Sequence, residues 1–141
     1  MRIVLDTNVV LSALLWRGTP YQLLTILRAQ SEHQLFSSPV LLEELAGVLT
    51  RTSIIKRLDL IKQSVPSVLA DYTAAVTSVE PLTVPRVVLT DPDDDHVLAC
   101  ALAARAELIV SGDRDLLTLG QYQQIPILLP NDALATIMQR G

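Results

Sequence analysis

Between residues 90 and 95 the chain reads Thr-Asp-Pro-Asp-Asp-Asp, which puts four carboxylates, Asp91, Asp93, Asp94 and Asp95, into five consecutive positions. Like charges at that density repel and weaken any structure they share without a counterion. The stretch is either a solvated helix start or one wall of a cation site. Seven of the chain's fifteen acidic residues fall between Asp91 and Asp115, which favours the second reading. Two more carboxylates stand in matched settings. Leu5-Asp6-Thr7-Asn8 and Val110-Ser111-Gly112-Asp113 each place an aspartate just past an apolar run, beside small hydroxyl or amide residues. Alone, each reads as a helix N-cap or an Asx-turn.

The elements around these residues decide whether they meet. Ile3–Leu5 is an uninterrupted apolar strand, the pattern of a strand covered on both faces. Gln34–Ser37, Leu108–Val110 and Ile125–Leu129 are further strands, with a short one expected around Leu82–Val84 between Pro81 and Pro85. Helical patterns lie between them: Val9–Trp16, Tyr21–Gln30, Val40–Thr50 after the cap Ser38-Pro39, Ile54–Lys62, Ser64–Thr77, Val97–Ala106, Arg114–Leu119, and a last one through Met138. Strands alternating with helices give an α/β domain with a mainly parallel sheet of four or five strands. Parallel strands share one carboxyl edge, where open α/β sheets place their ligands. Asp6 and Asp113 should converge there.

Glu44 joins them from a helix. Leu41, Leu42, Leu45, Val48 and Leu49 form the apolar arc of 40–50 at roughly 100° per residue. Glu44 lies on the border of that arc and can reach inward, whereas Glu43 falls nearly opposite Leu45 and should face water. In the acidic stretch, Asp93 suits a helix cap and Asp91 a turn or outer role. Asp94 and Asp95 both project within about 60° of Leu98 on a helical wheel, so periodicity does not choose between them.

Composition sets the outer bounds. At 141 residues the chain is long enough for one domain with a real core; half its residues are hydrophobic and 18% are charged. The net charge of −4 does not describe a general nucleic-acid-binding surface. Metal ions that cancel site charge still let an acidic protein bind a polyanion. Arg51, Lys56, Arg57 and Lys62 are the one local positive concentration, either a solvated helix face or a contact for RNA phosphates. Cys100 has no partner for an intrachain disulfide, the first residues already read as a strand without a signal-peptide pattern, and no run is long enough to span a membrane. A cytoplasmic protein is the default expectation.

Four or more acidic groups in one cleft either take up protons or bind a hard divalent cation, Mg²⁺ or Mn²⁺, which prefer oxygen ligands. No Cys/His spacing suggests zinc. An EF-hand loop starting at Asp91 fails, because His96 takes the turn-glycine position and Leu102 the bidentate-glutamate position. No Gly-rich phosphate loop occurs, and Asp6-Thr7-Asn8 lacks the second aspartate of an aspartyl-phosphate phosphatase. His33 and His96 are unsupported as a catalytic pair; His96, near the cleft, is at most a substrate contact.

In this arrangement the sequence resembles the PIN-domain ribonucleases, from residue 1 to about 130. Asp6-Thr7-Asn8 after an N-terminal strand looks like their opening motif. Glu44-Leu45, the Asp-rich start of an Ala-rich helix, and Ser111-Gly112-Asp113-Arg114-Asp115-Leu116-Leu117 complete it. The nearest likeness is to the VapC-like toxins of type II toxin–antitoxin systems. The resemblance implies a three-layer α/β/α domain and a metal site of Asp6, Glu44, an aspartate at the start of the 95–105 helix, and Asp113. For that third acid, spacing to Asp113 favours Asp95 and the Asp-Pro-Asp-Asp form favours Asp94. Ser111 stands where the family usually has threonine and keeps the hydroxyl. Thr7, Asn8, Asp91, Ser111 and Asp115 would support the ligands.

The implied activity is metal-dependent hydrolysis of RNA phosphodiester bonds with Mg²⁺ or Mn²⁺, together with homodimerisation and inhibition by a small antitoxin protein. The apolar Val9–Leu27 segment, with Trp16 and Tyr21, would supply a partner surface or simply pack in the core. Two other readings stand beside this one: a non-catalytic RNA- or protein-binding module on the same fold, and a phosphatase or DNA nuclease with a similar site.

Overall fold

Ile3, Val4 and Leu5 offer no polar side chain to solvent, and the fold buries all three. The computed structural model describes residues 1–88 and 91–140, so Thr90, which opens the acidic stretch, lies outside the described residues. The elements run β1 (Arg2–Leu5), α1 (Thr7–Leu15), α2 (Thr19–Ala29), β2 (Gln34–Ser37), α3 (Pro39–Leu49), α4 (Thr52–Leu60), α5 (Val65–Ala75), β3 (Thr77–Ser78), α6 (Pro92–Ala103), β4 (Leu108–Val110), α7 (Arg114–Leu119), β5 (Gln121–Tyr122), β6 (Ile125–Leu128) and α8 (Pro130–Arg140). The strand order is β3-β2-β1-β4-β6-β5, parallel throughout except for the β5–β6 pair.

The two-residue period of the strands divides the core into two. Ile3 and Leu5 of β1, with Leu108 and Val110 of β4, pack on one side against α1, α2, α5 and α8. Val4 and Ile109, paired in register, pack on the other side with Phe36 against α6 and α7. Both faces are covered, which makes the three layers α/β/α. Cys100 sits at 0% exposure in the second core, where burial pushes its thiol up to about 12.

Four expectations change. Among the described residues the sheet has six strands rather than four or five, because two-residue segments, β3 and β5, extend its edges. No strand forms at Leu82–Val84. The prolines on either side remove the ladder donors at its two ends, and β2 takes Thr77–Ser78 as its neighbour instead. The helix expected over Ser64–Thr77 therefore stops at Ala75. Finally, α6 begins at Pro92, so the acidic residues form its first turn rather than preceding it.

Candidate active site

Asp6 ends β1, and its backbone N–H donates to the Val110 carbonyl at 2.9 Å, which ties the carboxyl ends of β1 and β4 together. Although Asp6 occupies the N-cap position of α1, its side chain makes no capping bond. Its Oδ2 instead accepts a 2.7 Å hydrogen bond from Ser111 Oγ. The same Ser111 oxygen accepts from the Asp113 N–H at 2.9 Å. Ser111 is fully buried and stands 105 residues from Asp6, so one hydroxyl links two aspartates from distant parts of the chain.

Asp113 caps α7, its Oδ1 accepting from the N–H groups of Asp115 at 2.8 Å and Leu116 at 3.4 Å. Asp91 caps α6 through a 3.1 Å bond from the Asp93 N–H. Asp93 is therefore not the cap. Pro92 at the first helical position was the sequence signal, because proline there makes the preceding residue the cap. The N-termini of α1, α6 and α7 thus carry Asp6, Asp91 and Asp113, where the positive end of a helix dipole favours a carboxylate.

Asp94 completes the cluster. It is 4% exposed, and its Oδ2 has no hydrogen-bond partner. One carboxylate oxygen each from Asp91, Asp94 and Asp113 lies within 4.8 Å of the other two. Burial, reinforced by the charges of Asp113, Asp91 and Asp6, pushes the Asp94 carboxyl up to about 8. Asp6 is raised by burial and by Asp113 and Asp91, partly offset by the Ser111 hydrogen bond. Glu44 is raised by burial first, then by Asp93 and Asp6, while Thr7 opposes the shift. Glu44 of α3, Asp6 of β1, Asp91 and Asp94 of α6, and Asp113 at the start of α7 therefore share one electrostatic neighbourhood. Glu43 is exposed.

Asp95 goes elsewhere. Its Oδ1 accepts from the N–H groups of Val87 at 3.0 Å and Val88 at 2.8 Å, and it is 6% exposed. Sequence reasoning had no means of seeing this clamp, because its donors belong to an irregular segment with no periodicity. Of the supporting residues, Thr7 and Ser111 are buried, while Asn8 and Asp115 are exposed. Val9, Val10, Leu23, Leu24 and Leu27 pack in the core, and Trp16 remains 47% exposed. Among the basic residues, Arg57 lies over the Trp16 ring at 5.2 Å and donates through Nε to the Leu15 carbonyl, so it is partly withdrawn from solvent. Arg51, Lys56 and Lys62 are exposed.

The residues present fit a divalent cation. Every donor is a hard carboxylate oxygen, and a buried, unpartnered oxygen costs free energy that a cation would recover. Without one, burial and mutual repulsion favour protonation, the direction in which the Asp94 carboxyl is pushed.

No curated protein matches the chain in sequence at a significant level. Among solved structures, it is similar to a chain of VapBC2 from Rickettsia felis, determined bound to a DNA fragment from their promoter. The TM-score is 0.58 at 15% identity over 90% of this chain and 97% of that one, a likeness of fold. The family profile described as the PIN domain matches residues 2–115, from the first residue of β1 to the helix turn that Asp113 caps. By that match the chain belongs to the PIN-domain family.

Proposed function

We propose that the protein is a divalent-metal-dependent endoribonuclease, the toxin of a toxin–antitoxin pair, that hydrolyses phosphodiester bonds in RNA. The observation that carries this reading is the unpartnered, buried Asp94 Oδ2 inside the Asp91–Asp94–Asp113 group. PIN domains are nucleases, and the fold likeness to a chain of a VapBC2 assembly supports a small antitoxin as partner; a homodimer belongs to the same proposal.

Asp6, Asp91, Asp94 and Asp113 would hold Mg²⁺ or Mn²⁺, which when bound supplies positive charge against the scissile phosphate and lowers the pKa of an attacking water. In this reading Asp94, rather than the clamped Asp95, is the third acid. Ser111 fixes the Asp6 carboxylate and, through the Asp113 N–H, the start of α7. Glu44 stands at the rim with its pKa raised, which makes it a better proton acceptor than an ordinary glutamate. It would take a proton from the water that attacks phosphorus in line with the leaving oxygen.

The test is cleavage of single-stranded RNA in Mn²⁺ and in EDTA, by wild type, Asp6→Asn and Asp94→Asn, with single-stranded DNA and a phosphomonoester as parallel substrates. RNA cleavage that the chelator and either substitution lower by about 10²-fold or more is the expected result. Activity that survives the chelator and both substitutions overturns the assignment. Hydrolysis of the DNA or of the monoester in preference to RNA reassigns the substrate.

A further inference from the structure

Beside the acids, the 80–88 segment and α6 enclose a groove that the reading above does not use. One cavity of about 310 Å³ is lined by Arg86, Pro92, Asp95 and His96. A second, of about 290 Å³, shares His96 with it and adds Ser38 and Val40 from the start of α3. The groove starts at the first turn of α6, whose Asp91 and Asp94 belong to the acid group. Ser38 follows the carboxyl end of β2, which is hydrogen-bonded to β1. Ser38 thus stands about one strand spacing, ~5 Å, to the side of Asp6 along the same sheet edge.

Besides the Asp95 and Glu80 carboxylates, the groove carries a cation and a planar ring, which the acid group does not. Arg86 is exposed and, among the described residues, pairs with no carboxylate, even though four aspartates follow within nine positions. The His96 imidazole is half-buried and likewise has no hydrogen-bond partner. Among the described residues it is the only ring that lines either cavity apart from prolines, and Val40, at 46% exposure, and Val84, at 45%, add apolar surface around it. A guanidinium beside a half-buried planar ring that lines an open groove, next to a carboxylate cluster, is a pairing for one phosphate and one base. Unpaired bases in single-stranded RNA are bound by stacking on such rings. An apolar peptide would use the valines and leave the guanidinium without a role.

We propose that Arg86 and His96 form a nucleotide subsite of the cleft, Arg86 holding the phosphate next to the scissile one and His96 stacking on the attached base. This rests on the ribonuclease reading, and two measurements separate the fates of the two. In the first, 5′-AMP is titrated into the wild-type protein while the His96 Cε1–H and Arg86 Nε–H signals are followed by NMR. Stacking moves the imidazole signal upfield. In the second, kinetics on a short single-stranded oligoribonucleotide compare His96→Ala, His96→Phe, His96→Gln and Arg86→Ala, each first checked for an unchanged melting temperature.

His96→Ala should raise KM about tenfold, within what one stacked base supplies, and leave kcat within about twofold. His96→Phe should restore KM and His96→Gln should not, because the ring rather than the polarity is required. Arg86→Ala should raise KM similarly. Signals that 5′-AMP leaves unmoved, with KM unchanged in His96→Ala and Arg86→Ala, overturn the subsite while the nuclease stands, and leave the groove to a protein partner. Signals that move in a protein without ribonuclease activity support the subsite and overturn the nuclease.

Discussion

Ser111 shows how much of the site hangs on one side chain that carries no charge. Its hydroxyl donates to Asp6 and accepts from the Asp113 backbone, at 0% exposure, so no water can replace it cheaply. Ser111→Ala leaves a buried carboxylate oxygen and a backbone donor unsatisfied together. The expected cost is about 1–3 kcal/mol by chemical denaturation, and about 10–100-fold in Mn²⁺ affinity by calorimetry. A loss of stability with unchanged affinity would show that Ser111 serves only the fold. At this scale the sequence was informative about which acids come together and silent about how each is held. Asp6, Glu44 and Asp113 were legible because strand ends and a helix arc place them by periodicity alone. Asp94 and Asp95 were not separable, because both project towards Leu98 and the choice lies with the Val87 and Val88 amides.

Among elements, the boundaries that the sequence missed are those set by a neighbour rather than by local pattern. β3 exists because β2 offers an edge to Thr77 and Ser78. The β5–β6 turn uses Gln123 at φ 46° and Gln124 at φ 69°, the backbone of a hairpin turn without its usual Asn-Gly signal. The irregular 80–88 segment is likewise held from outside, by the Asp95 carboxylate bridging its end to α6. Asp95→Ala should release it: hydrogen–deuterium exchange at the Val87 and Val88 amides speeds up by about tenfold or more, with about 1–3 kcal/mol lost in stability. Asp95→Asn keeps an acceptor oxygen and should retain much of the protection. If Asp95→Ala exchanges like wild type, the clamp does not hold the segment.

For the whole molecule, the doubly covered parallel sheet followed from apolar strands alternating with helices, and its consequence is to gather acids from across the sequence at one edge. That concentration ties stability to pH in a direction opposite to ordinary acid denaturation. Asp6, Glu44 and Asp94 all have raised carboxyl pKa values in the folded protein, Asp94 to about 8, against ordinary values of 3.8, 4.5 and 3.8. The folded state therefore binds more protons than the unfolded chain between pH ~4 and ~8. The stability from these groups is fully present below the unfolded values and is lost as pH rises through the folded ones. Asp71, lowered by its Arg28 partner, runs the other way, but its effect falls below pH ~4 and on an exposed pair. In EDTA, the melting temperature should fall from pH 6 to pH 8.5. A divalent cation competes with those protons, so saturating Mn²⁺ should raise the melting temperature more at pH 8.5 than at pH 6. Asp94→Asn, which removes the most strongly shifted carboxyl, should flatten the EDTA slope and shrink the Mn²⁺ gain. Melting curves across that range decide it: a Mn²⁺ shift equal at both pH values, or an EDTA slope unchanged by Asp94→Asn, would show that the acid cluster is not where protons and metal compete.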